Sequence, residues 1–351
     1  MTIEVAKWGK SPDGKDIMLY TMTNNQGVKV QLSDIGAGIV SIVTPDREGH
    51  MDDIVLGYPS PLSYYGDGPC AGKVPGRFAN RIANGRFKID DNEYQLELNT
   101  GDGHHHLHGG SIGFCNQKWA SRIEGESIVF TYLSADGEAG YPGEMIAKVR
   151  YTLNDENELN IRLGAWTTAP TIVNMTNHTY FNLKGEGHGD ILDHKLRLNA
   201  SRWLPATEEL ITTGEMASVE ATPMDFMEAK LIGRDIHDDF DALKYGKGYD
   251  SCWVIDGLMK DKLNLAAELS HDGCGRMVQL YTTQPGVQVY TGNWLSGCPQ
   301  GKNGHVYHDY EGVALECQAL PDSPNKPNFP NTVLRPGEEY KEIIIFKFST
   351  I

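Results

Sequence analysis

Two acidic residues stand where acids are costly. Glu316 lies within Val313-Ala314-Leu315-Glu316-Cys317-Gln318, and Asp250 within Gly248-Tyr249-Asp250-Ser251-Cys252-Trp253. A carboxylate in apolar surroundings must be paired, hydrogen-bonded or functional, because removing it from water unpartnered is expensive. Desolvation also raises its pKa, as a general base working near neutrality requires. A buried structural ion pair would fit the same pattern. His178, in Asn177-His178-Thr179-Tyr180-Phe181-Asn182-Leu183, adds a group that exchanges protons near neutral pH. On a strand, His178 and Tyr180 share one face, each with a polar tip. A purely structural histidine is the competing reading.

Two further clusters invite chemistry. Asn80 and Arg81 sit in Gly76-Arg77-Phe78-Ala79-Asn80-Arg81-Ile82-Ala83-Asn84-Gly85. Arginine offers a rigid fork of donors suited to sugar hydroxyls or a carboxylate, although solvated loop charges would look alike. His104-His105-His106-Leu107-His108-Gly109-Gly110 puts four histidines in five residues. That run suggests metal at first sight, but further ligands are not obvious, and solvated loop histidines are common. His108 is the most site-like of the four, because the Gly-Gly turn beside it permits close backbone approach. Two carboxylates, a histidine and an arginine on a β scaffold could also describe a glycoside hydrolase.

The elements that must position these residues read as strands. Ala147, Val149, Tyr151 and Leu153 alternate with Lys148, Arg150 and Thr152, and Leu159, Ile161, Leu163 and Ala165 alternate with Asn160, Arg162 and Gly164. Each run has one wet and one buried face. Asn154-Asp155-Glu156-Asn157 divides them into a hairpin, and Asp90-Asp91-Asn92 divides Arg86–Ile89 from Tyr94–Leu98. Asp136-Gly137 and Pro142-Gly143 mark a further loop. Ile343, Ile344, Ile345 and Phe346 form a buried terminal strand. Residues 225–243 are the one stretch that could carry a short helix or an irregular excursion. With no linker, composition shift or fixed repeat, residues 1–351 read as one all-β domain, a large antiparallel β-sandwich.

Composition narrows the partners. The chain has 351 residues and a formal net charge of −16, which disfavours nucleic acid and anionic membranes. No stretch approaches the roughly 20 apolar residues that span a bilayer, and no signal peptide is visible at Met1–Lys7. Cys70, Cys115, Cys252, Cys274, Cys298 and Cys317 form no CxxC pair, so a structural zinc site has no support. Scattered thiols without an export signal are expected to be reduced, in a cytoplasmic protein.

Taken together and in order, these segments resemble the aldose 1-epimerase family. The matching runs are Gly76–Gly85, Leu107–Gly110 with Gly113-Phe114 and Trp119, Asp136–Gly143, Asn177–Leu183, Gly248–Asp250, Thr282–Gln288 and Leu315–Gln318. The resemblance implies a galactose mutarotase-like supersandwich with an open cleft on one sheet. It implies Glu316 as general base and His178 as general acid. Asn80, Arg81, His108, Tyr180, Asp250 and Gln288 would hold a small aldose. It implies ring opening and closure by proton transfer, with no cofactor and no metal. A non-catalytic sugar-binding sandwich and a hexose 6-phosphate mutarotase are the alternatives. The former has no need of both Glu316 and His178, and the latter needs extra Lys or Arg at the phosphate. On this reading His104–His106 become loop residues rimming the cleft. Ser251-Cys252 stands where many members carry His-Asn.

Overall fold

The period-two runs build the largest sheet. Met145, Ala147, Val149, Tyr151 and Leu153 are buried, whereas the residues between them are not. Across the hairpin Ala147 pairs with Ala165, Val149 with Leu163, Tyr151 with Ile161 and Leu153 with Leu159. One face is therefore continuously apolar. The computed structural model describes residues 1–259 and 262–351. In it this hairpin lies within a nine-stranded sheet, beside the long terminal strand Tyr340–Thr350. That strand joins Glu158–Thr167 on one side and Arg276–Thr282 on the other, both antiparallel.

A six-stranded sheet packs against it. Its order is Tyr180–Phe181, Val313–Gln318, Gly286–Tyr290, Asp250–Val254, Arg202–Leu204 and Ala217–Ser218. A five-stranded sheet, from Thr2–Lys10 to Met51–Asp53, widens the sandwich at the N-terminal side. One apolar core joins all three. It takes Phe130, Tyr151, Leu163 and Phe346 from the largest sheet, Trp253, Val287, Val289, Leu315 and Cys317 from the second, and Val30, Ile39 and Ile42 from the third. The expected antiparallel β-sandwich is the observed class.

Alternation in the six-stranded sheet decides where the chemistry goes. Leu315 and Cys317 point into the core, so Glu316 between them points to the opposite face. The register sets Gln288 opposite Glu316 on one side and opposite Cys252 on the other. Tyr290 pairs with Ala314 and with Asp250, and Tyr180 pairs with Ala314. Glu316, Gln288, Asp250 and Tyr180 thus share the face turned away from the core.

One open expectation is resolved and two are corrected. Residues 225–243 are mostly irregular. Phe226, Ile232 and Ile236 plug into the core, and the short helix Asp241–Gly246 starts only at the end of the stretch. The second hairpin strand is Asn92–Gln95, shorter than the alternation suggests. Not all thiols are reduced: Cys70 and Cys115 form a disulfide, with Cα atoms 6.2 Å apart. Their loops meet because the Phe114 N–H donates to the Gly76 carbonyl, a contact between segments far apart in sequence. Among the described residues, no helix is long and apolar enough to cross a membrane.

Arg77 shows how the loops beneath the site are held. It is buried, and its guanidinium donates to the Ser134 hydroxyl and to the carbonyls of Ser134, Ala135 and Pro142, at 2.8–3.1 Å. Hydrogen bonds to charged groups contribute about 1.5–3 kcal/mol each. Arg77→Met should therefore destabilise the fold by at least about 3 kcal/mol in urea unfolding. A loss under about 1 kcal/mol would show that Arg77 does not hold the 134–142 loop.

Candidate active site

The cleft opens on the outward face of the six-stranded sheet and has a volume of about 280 Å³. Glu316, His178, Asn80, Arg81, His108, Tyr180 and Asp250 all line it. Gln288 does not. It sits beside Asp250 in a small adjoining recess, with its Nε2 donating to Asp250 Oδ1 at 2.7 Å.

Glu316 and His178 face one another at its floor. His178 Nε2 lies 3.4 Å from Glu316 Oε1, and the side chains are only 5% and 2% exposed. Burial pushes the Glu316 carboxyl well above the usual carboxylate range, and the Asp250 charge adds to this while Arg81 opposes it. Burial lowers the His178 imidazole to about 4, and the Lys73 charge acts in the same direction. Both shifts favour uncharged forms. Together they favour a state with one titratable proton, on the carboxyl group, and the pair behaves as a coupled unit. Glu316 Oε2 and His178 Nδ1 are buried with no hydrogen-bond partner. Buried polar atoms are normally satisfied, so Glu316 Oε2 is an acceptor awaiting a donor.

Backbone contacts between remote segments fix these side chains. The His178 N–H donates to the Lys73 carbonyl at 2.9 Å, and the Gly72 N–H donates to the His178 carbonyl at 2.8 Å. Gly72 has φ +69°, and a Cβ there would lie 1.9 Å from the Ile39 carbonyl oxygen, so no other residue fits. Lys73 is itself buried, donating to Asp67 Oδ1 at 2.8 Å and to the Tyr64 carbonyl. Asp67 also accepts the N–H groups of Cys70 and Ala71. This pair sets the segment whose Gly68 and Pro69 form one wall of the cleft. The Tyr180 ring lies 4.9 Å from that of His178, and its hydroxyl donates to the Pro69 carbonyl at 3.0 Å. Tyr180 and His178 share a face as expected, although the strand itself covers only Tyr180–Phe181.

The opposite wall joins the two clusters that the sequence keeps apart. Arg81 pairs with Leu107, and Ile82 with His106, in a two-residue antiparallel ladder. The Asn80 N–H donates to His108 Nδ1 at 3.1 Å, and the Arg81 N–H to Asn80 Oδ1 at 2.7 Å. Gly109 lies so near Gly76 that a Cβ would come 1.7 Å from its carbonyl oxygen. Arg81 Nη2 is 3.8 Å from Asp250 Oδ2. Burial keeps His108 well below the ordinary histidine range. With Nδ1 accepting, its one hydrogen sits on Nε2, a donor for a ligand hydroxyl.

The same contacts bear on metal binding. His108, His178 and Glu316 bring ligand atoms within 4.8 Å of one another. A neutral imidazole that accepts at Nδ1 carries hydrogen on Nε2 and has no lone pair left for a metal. His108 would have to give up the Asn80 N–H to serve as a ligand, so this donor set suits hydroxyl groups better than an ion.

The remaining histidines do not rim the cleft. His106 is fully buried, with Nδ1 2.7 Å from the Glu97 carbonyl oxygen and Nε2 2.6 Å from the Tyr141 hydroxyl. His105 is also buried, and its Nδ1 accepts the Asn84 N–H. His104 is exposed against Glu209. Cys252 packs among Leu204, Val254, Leu320 and Phe329 behind Asp250. Two aromatic lining residues escape the sequence reading, Tyr290 and Trp294. Their rings stack at 6.4 Å and 17°, and Trp294 is 48% exposed. Nothing in Tyr290-Thr291-Gly292-Asn293-Trp294 marks these rings as a cleft wall in the sequence.

Comparison with known proteins identifies the family. The sequence pattern described as Aldose 1-epimerase matches residues 18–347. Human galactose mutarotase is 40% identical over 344 residues, 98% of each chain. Aldose 1-epimerase of Escherichia coli K12 is 38% identical, covering 96% of this chain and 97% of that one. Among solved structures, the aldose epimerase homologue from C. elegans superposes with a TM-score of 0.86 at 30% identity, covering 95% of this chain and 99% of its own. Galactose 1-epimerase from Lactobacillus acidophilus gives 0.84 at 29% identity, with 99% of each chain covered. Identity of this level, sustained over almost every residue, places the chain in the aldose 1-epimerase family.

Proposed function

We propose that the protein is an aldose 1-epimerase, interconverting the α and β anomers of a free hexose such as galactose or glucose, with residues 1–351 acting as one unit. The observation that carries this reading is the buried Glu316–His178 pair, 3.4 Å apart at the floor of an open cleft. Anomer exchange needs two coordinated proton transfers. A base removes the C1 hydroxyl proton while an acid protonates the ring oxygen. The ring opens to the aldehyde, the C1–C2 bond rotates, and the ring closes on the other face.

In this scheme the C1 hydroxyl donates to Glu316 Oε2, the acceptor that lacks a partner in the free protein. That hydrogen bond favours the carboxylate and moves the pair's proton to His178. Glu316 then acts as general base and His178 as general acid, and the roles reverse on closure. Each transfer contributes roughly 10²–10⁴-fold. Asn80, Arg81, His108, Tyr180 and Asp250 hold the sugar, and Gln288 orients Asp250. Such fixed donors lower the barrier by preorganisation. A neutral sugar is favoured over a phosphorylated one, because among the described residues Arg81 is the sole Lys or Arg lining the cleft and already faces Asp250.

Polarimetry on freshly dissolved α-D-galactose and α-D-glucose tests the assignment. The wild type should speed the approach to anomeric equilibrium. Glu316→Gln should lower the rate by at least about 10²-fold while sugar binding survives. A Glu316→Gln protein with near-normal rate would remove Glu316 from the role of base.

The pH profile follows from the two shifts. The one-proton state is lost on the acid side when His178 takes a second proton, near pH 4. It is lost on the alkaline side when the raised Glu316 carboxyl ionises. The profile of kcat/KM, which reports the free enzyme, should therefore hold level well below the ordinary histidine pKa of about 6.5. An acid limb centred near 6.5 would contradict the burial account.

A further inference from the structure

We propose that Asp102, His104 and Glu209 form a binding site for a divalent transition metal ion of the zinc class, with His105 as the residue that positions Glu209. The histidine run is the one sequence feature that the cleft does not absorb beyond His108. Folding brings Glu209, more than a hundred positions away, against it. His104 Nδ1 lies 2.7 Å from Glu209 Oε1 and 3.7 Å from Asp102 Oδ2. One ligand atom from each residue lies within 4.8 Å of the other two. Zinc bonds of about 2.0–2.2 Å place ligand atoms about 3.4 Å apart around a tetrahedral ion, so small side-chain rotations complete the set.

Each ligand is already oriented. Asp102 Oδ1 accepts the His104 N–H at 3.0 Å and a bond from the Thr100 hydroxyl, which leaves Oδ2 for the ion. Glu209 stands at the tip of a tight hairpin, where the Thr207 N–H donates to the Ile211 carbonyl and Ala206 bridges Thr212. All three ligands are exposed, so water can complete the coordination.

His105 supplies the independent sign of a ligand. It is 4% exposed, and its Nε2 is buried with no hydrogen-bond partner. Its Nδ1 accepts the Asn84 N–H at 3.0 Å, so its hydrogen sits on Nε2, 3.4 Å from Glu209 Oε2. That is the oxygen Glu209 does not turn to His104. A ligating carboxylate is normally held through its second oxygen by just such a donor. At 3.4 Å this contact lacks hydrogen-bond geometry and leaves the buried Nε2–H short of a full partner. One imidazole and two carboxylates suit zinc, cobalt or nickel rather than a soft monovalent ion. Bound metal would staple the 206–212 hairpin, whose inner side faces Arg81, Asp250 and Gln288 across the recess, to the histidine loop.

Calorimetric titration with zinc chloride decides this. The wild type should bind one equivalent that His104→Asn and Glu209→Gln weaken by more than about 100-fold. His105→Asn keeps an acceptor near the Nδ1 position but loses Nε2–H. It should weaken zinc by about 10–100-fold without lowering the metal-free Tm, a result that a merely structural role for His105 would not give. His178→Asn, in the cleft, should leave this equivalent intact. The proposal fails if Glu209→Gln binds zinc like the wild type, if His178→Asn is the variant that loses the equivalent, or if the wild type binds none.

Discussion

The carboxyl group of Glu316, 2% exposed on the outer face of a strand whose other face is core, is the constraint around which the protein is arranged. Full burial of a lone carboxylate would cost several kcal/mol. The fold meets that constraint by favouring the protonated form and setting an imidazole, itself driven toward neutrality by burial, 3.4 Å away. The result is a pair with one proton and two places to put it. The energetic gap between those places is what a bound sugar has to close, and a single hydroxyl donor to Glu316 Oε2 acts in the required direction. A more exposed pair would sit as an ordinary ion pair, with the proton already on the histidine before any sugar arrives.

The scaffold supplies position rather than reactivity. Register across the six-stranded sheet fixes Glu316 against Gln288, and Gln288 fixes Asp250. His178 hangs from a backbone clasp with Gly72 and Lys73 that tolerates no side chain at Gly72. Asn80, Arg81 and His108 are joined by a two-residue ladder and one N–H to imidazole bond. Each device links segments far apart in sequence, so the cleft exists only when the sandwich is assembled. The buried Lys73–Asp67 pair and the Cys70–Cys115 bond act on the loop that closes the other side.

Much of this was legible in the sequence where burial is one-sided. Alternation in 145–153 and 158–167 gave both the strands and their inner faces, because their outer faces meet water. The strand Val313–Gln318 is buried on both faces, so alternation there could not show which way Glu316 points; the acid within an apolar run was the only sign. The seven cleft residues stood out by type and setting, but their roles came from the family resemblance, because the types alone left metal or glycosidase chemistry open. What stayed hidden was set by tertiary contacts. His106 looks like a loop residue but is a core histidine bonded to Tyr141. Arg77 and Arg81 look alike in one segment, yet one stitches a loop and the other lines the cleft. The disulfide needed two loops to meet, and Trp294 carried no motif.

The most direct test of the account is the charge of His178 in the free protein. A pH titration followed by ¹⁵N NMR of labelled histidine, with His178→Asn identifying the resonance, reads it without catalysis. The imidazole should stay neutral from neutrality down to about pH 4. A protonation midpoint near the ordinary value of about 6.5 would show that burial does not set the state of the pair, and the one-proton description of the site would fall.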